Sequence, residues 1–148
     1  MRPLLAIACV LLSLPVPAAD APKPMTALPT PDYLSPLARA ALHRRMQRHG
    51  HDQSRLVLAV TPLQRDLVKV IATDIAEEPR LVRPIAEARD ELNSALPERF
   101  FVLQDALRLR AKDLAAAAVT KDDTKLAAAF GEMLVTCVTC HSAYLRNE

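Results

Sequence analysis

Residues 125–144 read Lys-Leu-Ala-Ala-Ala-Phe-Gly-Glu-Met-Leu-Val-Thr-Cys-Val-Thr-Cys-His-Ser-Ala-Tyr. Apolar and functional side chains recur at Leu126, Phe130, Leu134, Cys137, His141 and Tyr144, which is helical spacing. At about 100° per residue, Cys137, Cys140, His141 and Tyr144 share a face with Phe130, Met133 and Leu134. Both thiols and the imidazole are therefore expected to point toward a helical core. Asp122 or Asp123 is placed to cap this helix.

Three further helices are expected upstream. Ser35-Pro36 pairs a capping residue with a first-turn proline and opens helix one, whose apolar stripe is Leu42, Met46, His49, Leu56, Val57 and Val60. Gly50 interrupts that stripe and marks a possible bend, since glycine costs about 1 kcal/mol against alanine inside a helix. Thr61-Pro62 repeats the cap-proline signal for helix two, which is expected to run to about Glu78 with Leu63, Leu67, Val70, Ile71 and Ile75 inward. Pro79 and Pro84 bracket a connection lasting to about Leu96, with room for a short helix at Ile85 to Leu92. Helix three is expected from Pro97 to about Val119, with Phe100, Phe101, Leu103, Leu107 and Leu114 on its apolar face. Four amphipathic helices joined by short or moderate links predict an all-α fold, an antiparallel four-helix bundle.

The bulk composition agrees. The chain has 148 residues, 51% of them hydrophobic, with only 2 glycines and no tryptophan. Abundant Ala and Leu favour helix, and the scarcity of aromatic residues disfavours sheet. A formal net charge of +2 gives no global bias toward nucleic acid or membrane. The start, Met1-Arg2 followed by the apolar run Pro3 to Leu14 and then Pro15-Val16-Pro17-Ala18-Ala19, has the layout of a cleavable export signal over residues 1–19. The run is too short for a permanent span, so no membrane segment is expected after cleavage. Eight of the 12 prolines fall in residues 1–36, so residues 20–34 read as an extended arm and residues 35–148 as the folded domain. With Cys9 in the signal, Cys137 and Cys140 are the cysteines left in the exported chain.

Cys137-Val138-Thr139-Cys140-His141 is compatible with several chemistries. C-x-x-C-H is the attachment signature for a c-type haem, in which two thiols three apart take the two vinyl groups and the adjacent histidine reaches the iron. Thiol–disulfide exchange uses a similar pair, but normally at a helix N-terminus, where the dipole lowers a thiol pKa; here the pair lies toward a C-terminal end. Zinc would need two more ligands, for which His43, His49 and His51 are the available side chains. A plain disulfide across one helical turn is geometrically demanding. Covalent haem is the reading that uses all three residues. No acid–base constellation suggests an enzyme.

With the motif in the last of four helices behind an export signal, residues 35–146 resemble the class II c-type cytochromes, that is, cytochrome c prime and its six-coordinate, low-spin relatives. Tyr144 matches the family habit of an aromatic three residues after the histidine; the arginine often found next is displaced by Leu145 to Arg146. The resemblance implies one covalent haem c held by Cys137 and Cys140, with His141 as proximal ligand. It further implies a periplasmic location, periplasmic redox partner proteins and possible homodimers.

The sixth iron position separates two functions within that family. Members with a methionine ligand on helix one are one-electron carriers; members with an apolar residue there are five-coordinate and bind nitric oxide or carbon monoxide. Met46, about ten residues into helix one, resembles the ligand methionine and favours the electron carrier. His49, one turn on, is the alternative ligand. His43 lies about as far round the other way, and His51 is expected to face solvent. Arg44, Arg45 and Arg48 form a basic cluster that is either a solvated face or a partner for the haem propionates.

Overall fold

The computed structural model describes residues 35–84, 91–94 and 96–144. The expected signal segment 1–19 and arm 20–34 lie outside the described residues. Four long helices and one short one follow in order: α1 (Pro36–Val60), α2 (Arg65–Glu77), α3 (Glu91–Ser94), α4 (Glu98–Ala118) and α5 (Asp123–Tyr144). No strand occurs among the described residues. Packing runs α1 on α2, α2 on α4 and α4 on α5, with α3 touching α1; α1 and α5 share no comparable interface. The helix ends show the alternation of direction. The start of α2 meets the end of α4 through Arg65, which donates to the Thr120 carbonyl at 2.6 Å and pairs with Asp123. The end of α2 leads into a strap, residues 79–84, lying against the start of α4. There Gln104 of α4 accepts from the Leu81 N–H at 3.0 Å and donates to the Leu81 carbonyl at 2.9 Å. This is the all-α, antiparallel four-helix bundle that the patterning predicts.

Three of the expected helix starts hold and one moves. Pro36 opens α1, and Pro97 is the N-cap of α4. Asp122 caps α5, its Oδ1 accepting from the Lys125 N–H at 2.8 Å. Thr61-Pro62 does not open α2. Thr61 instead finishes α1, its hydroxyl and N–H both donating to the Val57 carbonyl. Leu63 then takes a left-handed conformation (φ 60°), and the N–H groups of Leu63 and Gln64 bond back to the carbonyls of Val60 and Ala59. That pair of reversed bonds is a Schellman terminus, a role usually given to glycine. α2 therefore begins three residues later than the cap-proline signal suggests. α1 itself passes through Gly50 without a break. The short helix α3 overlaps the end of its expected span; residues 85–90 lie outside the description.

The core is divided. The larger part joins Leu56 and Ala59 of α1, Val68, Ile71, Ala72 and Ala76 of α2, Ala111, Leu114, Ala117 and Ala118 of α4, and Leu126 and Met133 of α5. Alanine at half of these positions lets the helix axes approach closely. The inward face of α2 thus differs from expectation: Ile71 is buried and Ile75 packs at the margin, but Leu63, Leu67 and Val70 are 47%, 39% and 52% exposed. The smaller part is aromatic, with Leu96, Phe100 and Phe101 flanked by Leu42, Leu81 and Tyr144. Phe100 meets Phe101 edge-on at 5.7 Å and Tyr144 at 5.8 Å between ring centroids. By length and hydropathy α5 would suffice to cross a membrane, yet it packs along α4 and buries Leu126 and Met133 in the larger core.

These features set two stability expectations, both read from urea denaturation. A Cβ at Gly50 would meet nothing within 4 Å, so Gly50→Ala is expected to add about 1 kcal/mol. Leu63→Ile, which places a branched Cβ at positive φ, is expected to cost about 1–2 kcal/mol, whereas Leu63→Gly removes the left-handed penalty.

Candidate functional site

The Cys-x-x-Cys-His turn lies in the last third of α5. Local polar groups there are satisfied within the helix: Thr136, Thr139 and Ser142 donate to the carbonyls of Glu132, Val135 and Thr139. Cys137 and Cys140 are both free thiols and both half-buried. Val138 between them faces outward, 65% exposed. His141 is more open than expected of a core-facing residue, and Tyr144, one turn on, packs against Phe100. Met133, one turn before Cys137, is part of the larger core.

The electrostatics of the turn are those of neutral groups. Burial pushes the Cys137 thiol up, and burial together with the neighbouring Cys137 pushes Cys140 up to about 11. Both thiols are therefore protonated at neutral pH, the opposite of the activated thiolate that disulfide exchange uses. What burial His141 has, reinforced by the charge of His49, lowers its pKa, so its ring is neutral and keeps a lone pair at neutral pH.

α1 and the motif helix meet at the aromatic cluster, on which Leu42 of α1 and Tyr144 of α5 both pack. Met46 lies between Leu42 and His49 on α1 and is half-buried. His43 and His51 are exposed. His49 is engaged elsewhere: its Nε2–H donates to Glu78 Oε2 at 2.6 Å. Donor and acceptor follow from the chemistry, because an ionised carboxylate can only accept.

Glu78 is the site residue that sequence reasoning missed. It is the C-cap of α2, and its side chain is 13% exposed. Its Oε1 lies 3.2 Å from Arg48 Nε and 3.8 Å from Arg45 Nε. Arg45 also donates to Gln104 Oε1 at 3.0 Å and to the Pro79 carbonyl. The basic cluster of α1 is thus divided: Arg45 and Arg48 converge with His49 on one carboxylate, while Arg44 is exposed. The Glu77-Glu78-Pro79 sequence signals a helix end, but nothing local to it says which helix the carboxylate meets.

Burial alone would raise the Glu78 pKa. The hydrogen bond and charge of His49 and the charges of Arg45 and Arg48 outweigh it and hold the carboxyl below its usual range. The unfolded chain therefore takes up this proton first as pH falls. The stabilisation is complete above the ordinary glutamate value of about 4.3 and is lost as pH falls through the lower folded value. Urea midpoints measured between pH 7 and pH 3 are expected to decline below that point, and to decline less in Glu78→Gln. At pH 7 the same variant is expected to lose about 1.5–3 kcal/mol, the usual worth of hydrogen bonds to a charged group.

No curated protein and no solved structure matches the chain. Residues 87–145 match the family model described as Cytochrome C'. The matched segment takes in α3, α4, α5 and the whole Cys137–His141 motif, and it supports a class II c-type cytochrome of the cytochrome c prime family.

Proposed function

We propose that the chain is a periplasmic, monohaem electron carrier in which Cys137 and Cys140 hold the haem through thioethers, His141 is the proximal ligand and Met46 the distal one. The family implies covalently bound haem c, and its members are generally electron-carrying or gas-binding haem proteins. The observation that carries the assignment to these residues is the motif turn itself. Two protonated, half-buried thiols lie one turn apart beside a neutral imidazole, on a helix that meets α1 through the shared aromatic cluster. That donor set fits a haem.

When bound, the haem supplies a one-electron Fe(III)/Fe(II) couple. The chain does the rest. Cys137 and Cys140 fix the ring to α5. The neutral His141 presents its lone pair. The aromatic cluster beneath Tyr144 excludes water from the motif end of the bundle. Met46 is favoured on α1 because His43 and His51 are exposed and His49 is committed to Glu78. Export by residues 1–19, redox partner proteins and a homodimer, common in the family, belong to the same proposal.

The deciding measurement is the optical spectrum of the protein, co-expressed with a c-type maturation system, reduced and exposed to carbon monoxide. A sharp low-spin spectrum that barely responds to the gas is expected, and Met46→Ala is expected to open the iron to it. A high-spin wild-type spectrum that shifts fully would assign the chain to the five-coordinate, gas-binding members. In Cys137→Ser/Cys140→Ser, haem is expected to be absent from the chain on a denaturing gel. A wild-type chain without attached haem would overturn both haem readings.

A further inference from the structure

His49 is a part-buried imidazole of α1, one turn beyond Met46, on the helix whose Leu42 shares the aromatic cluster with Tyr144 of the motif helix. Imidazole is a good ligand for iron. A histidine so placed competes for the sixth position with a thioether or a gas. Its geometry keeps it from competing. Nε2, the far end of the ring and the atom that reaches across an interhelical gap, is 2.6 Å from Glu78 Oε2. Nδ1 lies next to its own Cβ, close against α1.

The carboxylate that holds it is itself held from several sides. Arg48 and Arg45 of α1 flank Oε1 at 3.2 and 3.8 Å. Arg45 is tied to Gln104 of α4 and to the Pro79 carbonyl of the strap. The side chains of Glu78 and His49 are only 13% and 21% exposed. Releasing His49 would strip a buried, charged acceptor of its shortest hydrogen bond, and a half-satisfied buried carboxylate is costly.

We propose that Glu78 is a positioning residue that holds the His49 imidazole away from the iron and so reserves the sixth position for Met46 or for a gas. The inference rests on the haem assignment above, but it holds for either the six-coordinate or the five-coordinate form. It assigns the Arg45–Glu78–Arg48 cluster a task in ligand choice beyond pinning α1 to α2.

The test uses matured holoprotein and reads ligation, by optical and electron paramagnetic resonance spectra and by carbon monoxide titration. Met46→Ala is expected to be high-spin and fully gas-binding, and adding His49→Ala is expected to change neither property. Met46→Ala/Glu78→Ala is expected to become low-spin with a bis-imidazole signature. Its carbon monoxide affinity should fall at least about tenfold, because a site occupied by His49 nine-tenths of the time is open for only one-tenth. Adding His49→Ala to that variant should restore the open spectrum. If Glu78→Ala yields no holoprotein, Glu78→Gln is read in the same way. The proposal is overturned if Met46→Ala is already low-spin and opens on removal of His49, which would make Glu78 an orienter of a histidine ligand. It is equally overturned if loss of the Glu78 carboxylate leaves the iron as open as in Met46→Ala. Failure of the haem assignment looks different: the wild-type chain would carry no haem before any variant is made.

Discussion

A carboxylate whose side chain is 13% exposed must be compensated, and Glu78 at the end of α2 is compensated chiefly by α1. Arg45, Arg48 and His49 lie on adjacent turns of α1, the two arginines at Oε1 and the imidazole at Oε2. Their spacing sets the rotation of α1 about its axis, because turning the helix would withdraw the three partners together. Arg45 extends the constraint to the strap and to α4 through Pro79 and Gln104. With that rotation set, Leu42 points to the aromatic cluster and Leu56 and Ala59 enter the larger core. Met46, between them, is half-buried.

The division of the core suits this arrangement. Alanine-rich contacts draw α2, α4 and α5 close along most of their length. At the motif end the packing changes to aromatic rings, and α1 and α5 are joined through a shared cluster rather than by direct apposition. The Cys-x-x-Cys-His turn sits at this boundary. Its thiols are desolvated enough to stay protonated, and its histidine is open enough to present a ring nitrogen.

Much of the fold was legible because its signals are local. Ser35-Pro36, Pro97 and Asp122 act on the backbone within a few residues, and each marks the helix start it indicates. Thr61-Pro62 carries the same type of signal and misleads, because Thr61 can satisfy its hydroxyl and N–H on the preceding helix as readily as it can cap the next. The choice went to the Schellman terminus at Leu63, a conformation no sequence rule assigns to leucine. The face of α2 was misread for a related reason. Leu67 and Val70 are expected inward with Ile71, yet Val68, Ala72 and Ala76 are the residues buried beside it. Close approach of α4 selects small side chains, and hydrophobicity alone does not encode distance.

The sequence by itself determined the helical class, most helix boundaries and the placement of two thiols and an imidazole on one turn of α5. Those are consequences of 3.6-residue periodicity, capping chemistry and the fixed spacing of adjacent residues, and none needs a distant contact. It also narrowed the α1 donors to Met46 and three histidines. What separates those side chains from one another is tertiary: Glu78, 29 residues away, bonds His49, while His43 and His51 stay in solvent. The physical reason is that a buried charge is balanced by whatever side chains the packing delivers, and that delivery depends on how helices rotate against one another rather than on any local pattern.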